Sequence, residues 1–116
     1  MTPQQLEEQL LKLPHEIYIA HEEAIKAGEM FQRVKAEYED SIDSEYLKLK
    51  AKNEKATVKE LEAMARQVTQ EKRLAVIIQE AKLQSLKNKA EKLKTAFAAC
   101  QSAIKLRAIE MQSLGG

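Results

Sequence analysis

Turn-forming residues are scarce in this chain of 116 residues: it has three glycines and two prolines, and two of the glycines close the sequence. A β-sandwich or barrel needs turn signals about every 8–12 residues, so that class is excluded. Aromatics are few, with two Phe, three Tyr and no Trp, and they supply no stacking platform of the kind that binds single-stranded nucleic acid. The single cysteine, Cys100, rules out an intramolecular disulfide and with it a secreted disulfide scaffold. The longest apolar run, Leu74-Ala75-Val76-Ile77-Ile78, falls far short of the roughly 18 residues a membrane span requires. No basic-then-apolar leader with a small-residue cleavage site opens the sequence, and a cytoplasmic location is expected.

What remains is rich in Ala, Glu, Lys, Leu and Gln, the composition of long helices. Thr2-Pro3-Gln4-Gln5 is a helix start: Thr2 can cap, Pro3 suits the first helical position, and Gln5 can reach back. Leu6, Leu10 and Leu13 then mark one face. Pro14 lacks an N–H and crowds the preceding turn, so a kink or break is expected there, with residues 3–13 forming a separate short helix. Beyond it, Ile17, Ala20, Ala24, Ala27, Phe31, Val34, Tyr38, Ile42 and Leu49 recur at helical spacing. Gly28 beside Ala24 and Ala27 suggests close approach of another helix, with a hinge as the alternative.

Residues 51–56 hold no large apolar side chain and read as a turn. Thr57-Val58-Lys59-Glu60 restarts a helix with a capping box. A second helix over 58–113 follows, and Gly115-Gly116 end it. Its apolar register reads Leu61, Met64, Val68, Ala75 and Ile78 in the first half. From Leu86 it continues through Ala90, Leu93, Phe97, Cys100, Ile104, Arg107, Met111 and Leu114, alternating steps of four and three. That alternation is a coiled-coil seam. Cys100 falls on it, where a small buried hydrophobe fits.

The sequence therefore predicts an all-α fold: one long antiparallel helical hairpin over residues 1–116, helix 14–51 pairing with helix 58–113. Folding at 51–56 would bring Phe31 near Ile77 and Ile78, Ile17 near Leu93, and Leu6 near Ile104. The second helix would be a rod of roughly 80 Å. Its apolar stripe is widened by Leu74, Ile77, Leu83, Leu106 and Ile109, and a stripe that wide faces more than one partner. Dimerisation of two hairpins into an elongated bundle is the expected outcome, with Leu86, Leu93, Phe97, Ile104 and Met111 as the seam.

Sites for catalysis are not evident. His15 and His21 are six residues apart, whereas a helical metal pair is spaced by four. Cys100 has no His on its own helix to activate it. There is no Gly-rich phosphate cradle or nucleophile elbow, and nothing calls for a metal or a cofactor. A non-enzymatic protein is expected.

The charge distribution is uneven although the formal net charge is +1. Residues 1–46 carry a net −7, residues 47–81 a net +3, and residues 82–107 a net +6. The basic residues of that last segment are Lys82, Lys87, Lys89, Lys92, Lys94, Lys105 and Arg107. They could track a phosphate backbone, or they could pair with the acidic first arm and set the antiparallel orientation. Internal pairing is the simpler expectation, and nucleic-acid binding the alternative.

Tyr46-Leu-Lys-Leu-Lys50, the restart Thr57-Val-Lys-Glu-Leu-Glu-Ala63, Leu83-Gln-Ser-Leu-Lys87 and Arg107-Ala-Ile-Glu-Met111 form a pattern. It resembles small helical proteins encoded by bacteriophages and prophages, often near genes for single-strand annealing recombinases and single-stranded-DNA-binding proteins. The resemblance covers roughly residues 30–111; the Leu13-Pro14 segment is outside it. It implies an accessory role in phage recombination or replication through a protein partner in a bacterial host cell, and it transfers no catalytic residue. A structural or scaffold subunit is a further alternative.

Overall fold

The structure, a computed structural model, describes residues 2–115. It is an all-α helical hairpin of three helices, with no strand among the described residues: α1 (Pro3–Lys52), α2 (Val58–Val68) and α3 (Gln70–Gly115). Two compact units divide the chain. In a two-helix pairing each residue touches only those facing it, so contacts gather locally.

The terminal unit comprises Met1–Ile25 and Ser85–Gly116. Its helix start is reciprocal: the Thr2 N–H donates to Gln5 Oε1 at 2.9 Å, and the Gln5 N–H donates to Thr2 Oγ1 at 3.2 Å. The expected separate helix over 3–13 does not form, because α1 continues through Pro14. Pro14 removes one hydrogen bond from a helix of 50 residues. Leu6 and Leu13, both N-terminal to it, are held in the core with Cys100, packed against Leu10, Leu93, Phe97, Ala103 and Ile104. That burial offsets the cost of the lost bond. Ala20 and Ala90 are also buried, as is Cys100, in keeping with its place on the seam.

The turn unit is Lys26–Gln84. α1 ends where the Asn53 N–H donates to the Leu49 carbonyl at 2.8 Å and Asn53 Nδ2 donates to the same oxygen at 3.1 Å. Lys50 and Lys52 in the last turn complement the helix dipole. Thr57 caps α2, accepting from the Glu60 N–H at 3.2 Å. The return half of the capping box is not made among the described residues.

The second helix is interrupted once, at Thr69, a break that the apolar spacing did not predict. The Thr69 hydroxyl donates to the Ala65 carbonyl at 2.8 Å, and the Thr69 N–H donates to that same oxygen at 3.2 Å. A β-branched residue whose hydroxyl competes for a helix carbonyl disturbs the backbone locally. The buried positions of α2 and its junction are Leu61, Ala65 and Thr69.

The seam of this unit differs from the expected one. Val76, Gln79 and Leu83 are half-buried, whereas Met64, Val68, Ala75 and Ile78 are exposed. Each expected position from Met64 onward lies one residue before its buried counterpart. At three of these four positions the cause is chemical: the inward residues are Ala65, Thr69 and Gln79, so counting large apolar residues selects the wrong face. Gly28 faces Leu83, whose Cδ1 would lie 3.8 Å from an added Cβ. That is ordinary van der Waals contact, so no close approach of helices demands the glycine. In the antiparallel pairing this places Phe31 opposite residue 80, less than one turn of about 3.6 residues from the expected Ile77–Ile78.

Candidate interaction surfaces

The residues proposed for a seam separate at the end of α3. Leu86, Leu93, Phe97 and Ile104 are half-buried. Met111 is 72% exposed and Leu114 is more so. Pro3, Leu6, Ile104, Met111 and Leu114 line an open, largely apolar notch in the terminal unit.

The basic residues do not form one stripe. At about 100° per residue, Lys82 and Lys89 flank the buried seam on one side, Lys87 and Lys94 flank it on the other, and Lys92 points outward. Lys89 reaches Glu23 of the acidic arm at 4.0 Å, and Lys94 turns to Glu91 of its own helix at 3.5 Å. Lys82, Lys87, Lys92 and Lys105 are exposed and make no ion pair among the described residues, while Arg107 is half-buried with a partner of its own. Pairing between the arms is therefore sparse and exposed, worth about 0–1 kcal/mol per pair. In the turn unit the arms also meet where Lys72 Nζ donates to Ser41 Oγ at 2.6 Å.

His15 and His21 are both exposed. No group of three or more His, Cys, Asp or Glu that could hold a metal ion occurs among the described residues. No described helix is long and apolar enough to cross a membrane.

Large apolar side chains stand out instead. On α1 Leu11, Tyr18 and Ile25, spaced by seven, are exposed. On α3 Leu74, Ile77 and Ile78 are 52%, 49% and 54% exposed, and Ala81 completes an i, i+3, i+4, i+7 stripe on the face opposite the seam. Leu106 and Ile109 are exposed as well. Scattered exposed leucines are normal, but a row along one helix face marks an interaction surface. The sequence signal is the breadth of the apolar stripe, which Leu74 and Ile77 widen, while Ile78 falls on the expected hairpin register.

Comparison with known proteins finds no family model that matches the chain, and no curated protein or solved structure significantly similar to it.

Proposed function

We propose that this chain is a non-enzymatic interaction protein that works through protein–protein contacts, self-associating as a dimer and engaging a further protein partner. The observation that carries this reading is the exposed apolar row on α3, which the hairpin leaves uncovered. The resemblance of residues 30–111 to phage-encoded helical proteins directs the search for a partner to recombination and replication proteins of a bacterial host cytoplasm.

A second reading has an observation of its own. Lys82, Lys87, Lys92 and Lys105 are exposed without an ion pair among the described residues, and such cations can contact phosphates with strong salt dependence. Fluorescence anisotropy separates the two. The labelled chain is titrated with a phage single-strand annealing recombinase, with a single-stranded-DNA-binding protein, and with short single- and double-stranded DNA at low and near-physiological salt. Saturable protein binding that survives physiological salt is the expected result. DNA binding that weakens steeply with salt and is lost on charge reversal at Lys87, Lys92 and Lys94 would replace it with the nucleic-acid reading.

A further inference from the structure

The proposed self-association can be assigned to one surface, and this assignment rests on the interaction reading given under the proposed function. Around the outward stripe of Leu74, Ile77, Ile78 and Ala81 stand four exposed charges: Glu71, Arg73, Glu80 and Lys82. None has an opposite charge three or four residues away on its own helix, and none makes an ion pair among the described residues. Within α3 they are charges without partners.

Their order is self-complementary when the helix is reversed. Placing a two-fold axis between Val76 and Ile77 sets Glu71 level with Lys82 of a second copy, and Arg73 level with Glu80 of that copy. At about 100° per residue, Glu71 and Lys82 lie roughly 70–90° to one side of the stripe, and Arg73 and Glu80 roughly 90–110° to the other. A two-fold axis perpendicular to two antiparallel helices keeps each side on its own side. Both pairings therefore form, each occurs twice, and the stripe lies between them. Flanking charges of this kind set orientation and partner in helix pairs, and an isologous interface needs such self-complementarity. Leu74, Ile77 and Ile78 of one copy would interleave with those of the other along the same short stretch.

We infer that residues 71–82 of α3 form a two-fold antiparallel docking surface for a second copy of this chain. Ile77 and Ile78 sit at its centre, with Glu71–Lys82 and Arg73–Glu80 pairs along its edges. The stripe of Leu74, Ile77, Ile78 and Ala81 and its four flanking charges are all exposed, and none of them is one of the half-buried seam residues Val76, Gln79 and Leu83, so a hairpin can fold first and dock afterwards.

Sedimentation equilibrium of the full chain tests this, with far-UV circular dichroism to confirm that each variant remains helical. Wild type should be dimeric. Ile77→Lys should weaken the dimer at least about tenfold, as for loss of a central anchor. Arg73→Glu and Glu80→Arg should each weaken self-association, since each sets like charges opposite one another. An equimolar mixture of those two variants should recover a dimer containing one of each, because both edge pairs are then opposite in sign. A wild-type dimer that none of these variants alters would overturn this surface and leave self-association standing. A wild-type monomer that still binds the recombinase would overturn the second copy as occupant while the interaction reading survives. A monomer that binds neither protein would overturn both.

Discussion

The two units of the hairpin are built from different materials. In the terminal unit the inward positions hold Leu6, Leu13, Leu93 and Phe97 around Cys100, so bulk and burial coincide. In the turn unit Ala65, Thr69 and Gln79 share the inward positions of the second arm with Leu61, Val76 and Leu83, while Met64, Val68, Leu74, Ile77 and Ile78 face outward. One unit commits large apolar side chains of both arms to a shared core. The other turns Leu61, Val76 and Leu83 inward but leaves more of its second arm's large apolar side chains outside, and small and polar groups such as the Lys72–Ser41 hydrogen bond take part where its arms meet. An apolar surface that a chain does not use internally is available for association.

That contrast can be broken from either side. The largest effect belongs to the terminal unit, where Leu13 is 4% exposed. Leu13→Ala should cost about 2–4 kcal/mol, removing buried methyl groups and leaving a cavity, and urea unfolding would show it as a lowered midpoint. In the turn unit the sensitive change is the opposite one. Ala65 is 0% exposed, so Ala65→Leu should cost about 1–3 kcal/mol by overpacking. A neutral result in the same unfolding experiment would mean that the arms stand further apart there. The smallest effect is a gain. Gly28→Ala should stabilise by about 0.5–1 kcal/mol, since the added Cβ meets Leu83 at 3.8 Å and the helix loses a flexible residue. A lowered melting temperature would restore the close-approach reading of Gly28.

The same contrast explains what the sequence made legible. The hairpin itself followed from the scarcity of Gly and Pro, from Thr57 as a cap and from the apolar gap over 51–56. From Leu86 to Ile104 the seam was readable because periodicity and residue size agree. Over residues 61–83 they disagree, and the reading followed size to Met64, Val68 and Ile78. Pro14 misled in another way: a local rule predicted a break, and the packing of Leu6 and Leu13 against α3 overrode it. Thr69 left only a faint trace, a β-branched hydroxyl residue in the stretch Gln67-Val68-Thr69-Gln70. As for candidate sites, the lysines could be named from the sequence, but their dispersal over three faces of α3 needed the helix register. The outward row at 74–81 was visible as apolar residues and hidden as a surface.

The contrast between the units turns on Ile78 facing away from the hairpin seam while Leu83 faces into it. The direct measurement is urea unfolding of Leu83→Asp and Ile78→Asp, at a protein concentration low enough to keep every chain monomeric. Leu83→Asp should lose about 2 kcal/mol or more by placing a charge against the first arm, and Ile78→Asp should stay within about 0.5 kcal/mol of wild type. The reverse order, with Ile78→Asp the destabilised variant, would contradict the account and return Ile78 to the seam.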